Sequence, residues 1–156
     1  MKMGRSFALA TMGLAFVSGI PAAVSADETE EIQAASQGFY AALAMLDDGA
    51  AMGAVWAHAP YVTFAGPRSK SVIVGWDAQE DYWAEANKLF SQRNISLTNQ
   101  SIHVSENFAW EVGEEDGEIE LRNGGARKIA NMVTNIYEKI GGSWLMVSHH
   151  AQPIPQ

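Results

Sequence analysis

The chain contains no cysteine among its 156 residues. This absence excludes disulfides, thiolate zinc sites, iron–sulfur clusters and a cysteine nucleophile. Basic residues are also scarce, because 10 Lys and Arg oppose 18 Asp and Glu and leave a net charge of −8. Nucleic acids and anionic membranes need clustered Lys and Arg for their phosphate groups, so we expect neither as a partner.

Motifs of nucleotide-binding and hydrolytic enzymes are missing as well. The sequence has no G-x-S-x-G, no G-x-x-x-x-G-K and no G-x-G-x-x-G, which removes the signatures of serine hydrolases, phosphate-binding loops and dinucleotide-binding folds. None of its four His residues has the spacing H-E-x-x-H or an acidic residue placed to complete a metal triad. We therefore expect no metal and no cofactor.

Long apolar runs are confined to the start of the chain. Lys2 and Arg5 precede an apolar stretch over 6–20, which is followed by Pro21 and by small residues up to Ala26. This order is typical of a secretory signal peptide that is cleaved after Ala26. A retained membrane anchor is the alternative, but the run of about 15 residues is shorter than the ~20 that span a bilayer.

We therefore predict two segments, a signal peptide over residues 1–26 and one domain over residues 27–156. The domain would be periplasmic or secreted and, once the signal is removed, free of any membrane attachment. A chain without cysteine suits a bacterial periplasm better than it suits a small secreted domain held together by disulfides.

The pattern of the domain changes from helical to strand periodicity near Asn94. Apolar stripes at helical spacing follow Asp27 and Asp77, and a shorter helix is predicted for Ala50–Ala57. Predicted strands cover 61–64, 71–74, 95–104, 108–115 with a resumption at 118–121, 127–138 and 143–151. Turns are predicted at Asp116-Gly117, Gly124-Gly125 and Gly141-Gly142. Three helices before an antiparallel meander predict an α+β fold, a cone-shaped, strongly curved and mostly antiparallel sheet with an open mouth.

Nine short stretches occur in a recognisable order. They are Val55–His58, Tyr61–Thr63, Gly75–Asp77, His103–Val104, Ala109–Trp110, Gly113–Glu114, Thr134–Lys139, Gly142–Trp144 and His149–His150. Together they resemble the nuclear transport factor 2-like superfamily, in its SnoaL-like (ketosteroid-isomerase-like) bacterial branch, over nearly all of 28–153. The resemblance implies a cystatin-like roll with a cavity. It does not choose a function, because this fold hosts isomerases, cyclases, dehydratases, epoxide hydrolases and non-catalytic domains.

The isomerase members of this family use a tyrosine on the first helix, a carboxylate base and a second acid. The resemblance places Tyr40 at the tyrosine position and Phe64 at the position of the base. A phenyl ring cannot take a proton, and the position of the second acid is not identifiable. The resemblance therefore implies the cavity and leaves the isomerase reaction open.

Three side chains are candidate catalytic residues: Tyr40, His150 and His58. Tyr40 follows an apolar stripe residue, and its buried hydroxyl would need a partner such as a carbonyl ligand or Asn135, since an unpaired buried hydroxyl costs about 2–7 kcal/mol. Neighbours on a strand face opposite sides, and the resemblance favours His150 as the inward residue of the last pair. His58 would border the cavity. A packed tyrosine and structural histidines are the alternative interpretations.

Five further residues are candidate ligand contacts: Phe64, Trp83, Trp110, Met132 and Asn135. The acidic run between Glu106 and Glu120 reads as a solvated strand edge that deters aggregation. We expect an exported domain that binds a small, largely apolar or cyclic molecule in its cavity. General acid–base chemistry on that molecule is an additional hypothesis. We also expect a homodimer through the outer sheet face. Two alternatives remain, a ketosteroid-isomerase-like isomerase, cyclase or dehydratase, and a non-catalytic dimeric assembly domain whose cone is filled.

Overall fold

The computed structural model describes residues 26–155 and contains three helices and six strands in this part of the chain. The helices are α1 (Ala26–Met45), α2 (Ala50–Gly53) and α3 (Trp76–Ala86), followed by a 3₁₀ turn at Asn87–Leu89. The strands are β1 (Thr63–Ala65), β2 (Ile73–Val74), β3 (Phe90–Ser105), β4 (Phe108–Leu121), β5 (Ala126–Ile140) and β6 (Ser143–Pro153). The predicted signal peptide lies outside the described residues, apart from Ala26.

The six strands form one curved sheet in the order β2-β1-β6-β5-β4-β3. Every neighbouring pair is antiparallel except β1 and β6, which are parallel. Helix α1 contacts β3 and β6 and so crosses the inner face of the sheet. The fully buried Phe39, Trp56 and Met146 belong to the core between the helices and this face. The predicted α+β fold is confirmed.

None of the helices among residues 26–155 combines the length and the apolar character that crossing a membrane requires. Several element boundaries differ from the prediction, and the largest differences are at the end of α2 and the start of β3. Helix α2 ends at Gly53, because Trp56 instead bridges to Met146 beside the sheet, and β3 begins at Phe90 rather than near Ile95.

Strand β4 continues without a break through Gly117, where the sequence predicts a turn. Gly117 pairs with Ile95 of β3, and a Cβ atom added to it would lie 2.0 Å from the carbonyl oxygen of Asn94. The glycine therefore allows a close approach of two strand backbones. Glycine within a strand often marks such a site. The predicted turn at Asp116-Gly117 is wrong, whereas the glycine pairs 124–125 and 141–142 do lie in turns with positive φ.

A β-bulge in β6 decides which way the last two histidines face. Tyr137 pairs with Met146 while Ile136 pairs with Ser148, so Val147 is an extra residue on β6. An extra residue reverses the alternation of side chains beyond it. His149 is consequently buried, and the predicted inward orientation of His150 is wrong because that residue is exposed on the opposite face.

Candidate active site in the cone cavity

The sheet and helices enclose a cavity of about 730 Å³. Its walls include the aromatic side chains of Phe39, Phe64, Tyr82 and Trp83, together with apolar residues of β3 and β4 such as Ile95. A volume of this size falls within the range of sites that hold metabolites and drug-sized molecules, about 300–1,000 Å³. The cone is therefore open to a ligand rather than filled by its own side chains.

A buried carboxyl group, that of Glu115, forms the polar centre of the cavity wall. Glu115 is only 3% exposed and comes from the inner face of β4. The hydroxyl of Tyr40 donates to its Oε1 at 3.2 Å, and Asn131 Nδ2 donates to its Oε2 at 2.9 Å. Two donors from α1 and β5 thus fix the position of the carboxyl group while it remains part of the cavity lining.

A second buried glutamate, Glu111, organises the imidazole of His149. Asn135 Nδ2 donates to Glu111 Oε1 at 2.7 Å, so the Oδ1 atom of Asn135 is turned towards His149 Nδ1, 2.7 Å away. An amide oxygen only accepts hydrogen bonds, so the proton of a neutral imidazole must be on Nδ1. This arrangement leaves Nε2 as a proton acceptor, and it lies 3.9 Å from Glu115 Oε1.

Two phenyl rings hold the imidazole of His149 in place. The ring of Phe64 stacks on it with a centroid distance of 5.3 Å and an interplanar angle of 12°, and the ring of Phe39 lies 5.1 Å away. Side chains packed in this way have few rotamers, so the orientation of the imidazole is fixed by its surroundings.

Burial changes the acidity of all three groups in this cluster. It lowers the pKa of His149 to about 3, so the imidazole is neutral at physiological pH. Burial raises the pKa of Glu115 above its ordinary value. Burial also raises the pKa of Tyr40, and the negative charge of Glu115 adds to that effect. At neutral pH the site therefore presents an uncharged imidazole acceptor beside a carboxyl group that holds its proton more tightly than an exposed carboxyl group does.

The sequence of this chain matches the profile of the SnoaL-like domain over residues 32–155. It belongs to the SnoaL-like family. No curated protein matches the sequence significantly. Among residues 26–155 of this SnoaL-like domain, no group of three His, Asp or Glu side chains is placed to hold a metal ion.

Solved structures of the nuclear transport factor 2-like superfamily share the fold. A protein from Salmonella enterica is 21% identical, with a TM-score of 0.75 over 84% of this chain and 95% of that one. An inferred dehydratase from Streptomyces avermitilis is 20% identical, with a TM-score of 0.73 over 83% and 99% of the two chains. A ketosteroid isomerase-like protein from Erwinia carotovora is 17% identical, with a TM-score of 0.70 over 85% and 100%. At these identities the likeness shows the fold alone.

The SnoaL-like domain brings four of the predicted site residues to the cavity region. Phe64 and Trp83 line the cavity directly. Tyr40 and Asn135 lie one layer behind, where they hold Glu115 and His149 by hydrogen bonds. The hydroxyl of Tyr40, for which the sequence predicts a hydrogen-bond partner, donates to the carboxyl group that lines the cavity.

The other four predicted residues lie elsewhere. Trp110, Met132 and His150 belong to the outer sheet face, where Trp110 and Met132 are 38% and 42% exposed. Their orientation follows from strand alternation, since their neighbours point inward. His58 is exposed, stacks on Trp76 with ring centroids 4.4 Å apart, and faces the carbonyl oxygen of Gly53 at 2.8 Å.

Sequence reasoning missed the two glutamates of the SnoaL-like domain because they belong to an acidic run. Most of that run is exposed as expected, but Glu111 and Glu115 are buried. One signal was present: Ala109, Glu111, Gly113 and Glu115 alternate with Trp110 and Val112, so the small and the two acidic residues share one face. A face with small residues is a candidate inner face of a narrow cone.

Proposed function

We propose that this SnoaL-like domain binds a small, largely apolar molecule in its cavity and moves protons on it by general acid–base catalysis. The observation that carries the proposal is the acceptor Nε2 of His149 held 3.9 Å from the buried carboxyl group of Glu115 inside an apolar cavity. A ligand atom that lies beside this pair would be within hydrogen-bond distance of both groups.

The reaction class we propose is elimination of water next to a carbonyl group. His149 Nε2 takes a proton from the carbon beside the carbonyl, and the electron pair forms the new double bond as the C–O bond breaks. Glu115 acts in its protonated form, which burial favours: it gives its proton to the departing oxygen, which leaves as water. His149 then returns its proton to Glu115, which restores both groups. The fold likeness to an inferred dehydratase supports this class.

The first experiment measures the proton-abstraction step directly. A panel of cyclic ketones and β-hydroxy ketones is incubated with the protein in D₂O, and exchange of the proton beside the carbonyl is followed by NMR. We expect His149→Gln to lower the exchange rate by about 10²-fold or more, because the base is lost. Exchange that survives in His149→Gln and disappears in His150→Gln would contradict the assignment.

Tyr40→Phe tests the role of the tyrosine as a positioning residue. The hydroxyl stabilises the charged form of Glu115, and its removal raises the pKa of that carboxyl group further. We expect the pH–rate profile to move to higher pH. Tyr61→Phe is the matched control, since Tyr61 is exposed and donates to Glu138 Oε2 at 2.6 Å, away from the cavity. A profile unchanged by Tyr40→Phe would contradict the role.

We also propose that the domain is exported and forms a homodimer. Export is supported by the N-terminal sequence pattern alone, and N-terminal sequencing of protein from the periplasm should begin at Asp27. Dimerisation is supported by four exposed apolar side chains on the outer sheet face, Phe108, Trp110, Val112 and Met132. A non-catalytic assembly domain would use the same face, but an open cavity favours a ligand-binding function.

A further inference from the structure

The charged residues in the lining of the apolar cavity are mostly cations, although the chain as a whole is acidic. Eight Lys and Arg occur within residues 26–155, and five of them line the cavity: Arg68, Lys70, Arg93, Arg127 and Lys128. Glu115 is the only acidic residue in that lining among the described residues. With a net charge of −8 for the whole chain, such a distribution concentrates positive potential where a ligand enters.

Two of these cations lie in one row across the sheet. Arg93 of β3 pairs with Ile119 of β4, and Ile119 pairs with Arg127 of β5. Directly opposite residues of antiparallel strands point to the same face, so both guanidinium groups flank Ile119 on the inner wall. Because adjacent strands lie about 4.8 Å apart, the two backbones are separated by about 10 Å. Arg93 is buried and Arg127 is exposed at the mouth.

Arg93 is a buried cation without a carboxylate partner among residues 26–155. It is 4% exposed, donates one hydrogen bond to Asn87 Oδ1 at 2.8 Å and covers the ring of Phe90 at 4.4 Å. Burial lowers its pKa to about 10, which leaves it charged at neutral pH. By contrast, Lys88 and Lys139 on the surface pair with glutamates. An uncompensated buried charge is costly, and an anion bound beside it would remove that cost.

The distance from Arg93 to the catalytic pair suits a small molecule. Arg93 is opposite Ile119, and Glu115 lies four residues before Ile119 on β4. At about 3.3 Å per residue, the two ends of the cavity are about 13 Å apart along the strand. A compact ring system with a short acidic side chain spans such a distance.

We propose that the ligand of this cavity carries a carboxylate, which Arg93 binds inside the cavity and Arg127 binds from the mouth, while the apolar body of the ligand extends to His149 and Glu115. This inference rests on the proposed function for the reacting end of the ligand. Guanidinium groups bind carboxylates through paired hydrogen bonds. A carboxylate is favoured over a phosphate because only Arg93 of the five cations is buried, so a single negative charge compensates the one cation that solvent does not reach.

The test compares three probes of one shape: naphthaleneacetic acid, its neutral amide and naphthyl phosphate. Isothermal titration calorimetry should give the acid an affinity at least about tenfold above that of the amide at low salt, as expected for charge-assisted hydrogen bonds. Added salt should reduce the advantage, because Arg127 is exposed. Arg127→Gln should remove most of the advantage and Arg93→Gln all of it. The control Lys88→Gln removes a surface cation outside the cavity and should change nothing.

Three outcomes would overturn the inference. They are equal binding of acid and amide, tighter binding of the phosphate, and absence of acid binding at millimolar concentration. The Arg127→Gln variant keeps the test valid if Arg93→Gln fails to fold. Arg127 is exposed and forms no ion pair within residues 26–155, so its replacement should not disturb folding. The proposed function is tested separately by proton exchange on neutral ketones. If such exchange occurs but the acid binds no better than the amide, the proposed catalysis stands and only the inference of a carboxylate ligand is overturned.

Discussion

The two buried glutamates of β4 have different surroundings, and these separate their roles. Glu111 accepts hydrogen bonds from Asn135, from Tyr137 at 2.6 Å and from Gln100, and it does not line the cavity. Glu115 accepts two hydrogen bonds and does line it. A fully satisfied carboxylate orients its neighbours, whereas one that meets a ligand can exchange a proton with it.

The low pKa of His149 predicts acid sensitivity. The unfolded chain binds a proton near pH 6.5, whereas the folded chain excludes it until about pH 3. Above pH 6.5 this group therefore makes its full contribution to the free energy of unfolding. As the pH falls from 6.5 towards 3, that contribution is lost at up to about 1.4 kcal/mol per pH unit. Between about pH 7 and 5, we expect the free energy of unfolding to fall by about 2 kcal/mol less in His149→Gln than in the wild type. Urea unfolding at both pH values measures this difference.

Comparison with a matched variant isolates this effect. Titration of Glu115 affects stability in the opposite direction, because its raised pKa makes the free energy of unfolding fall as the pH rises. Glu115 is present in both proteins, so its contribution largely cancels in the comparison. His150→Gln changes the exposed neighbour and should keep the wild-type dependence. Equal pH dependence in wild type and His149→Gln would show that His149 is not buried in its neutral form.

At the scale of elements, a single extra residue in β6 decides which of the last two histidines faces the cavity. Without the bulge at Val147, the face of Trp144 and Met146 would continue to His150. With it, the face continues to His149, which contacts Asn135 on β5. Bulges redirect side chains near active sites in this way. Periodicity in the sequence gives the two faces of a strand but does not show where the alternation is reversed.

The contact between β3 and β4 at Gly117 gives a prediction at the same scale. Gly117→Ala places a methyl group against the backbone oxygen of Asn94, which cannot move without breaking the strand pair. We expect a loss of at least about 2 kcal/mol in the free energy of unfolding. The control is Gly38→Ala in α1, where the added methyl meets Val55 Cγ1 at 3.4 Å and helix propensity improves. Similar stability of both variants would contradict the explanation.

At the scale of the whole molecule, the sheet has one face turned to the cavity and one face turned outward, and the outer face carries an exposed apolar patch. Trp110 lies on the outer face, with its ring 4.1 Å from that of His103. We expect Trp110→Glu to convert the proposed dimer into a monomer in sedimentation experiments, because a charge would be buried in the interface without a partner. Lys88→Glu serves as the control for added negative charge. A wild-type monomer at all concentrations would exclude the dimer.

The sequence by itself determined the α+β class, the order of helices and strands, and the family, because apolar periodicity and turn glycines are local properties of the chain. It also indicated Tyr40, Phe64, Trp83 and Asn135 as residues of the cavity region. Only the tertiary structure decided that Glu115 and His149 meet at the cavity. That meeting depends on strand register and on one bulge between β5 and β6, and register is set by pairing between distant segments rather than by local pattern.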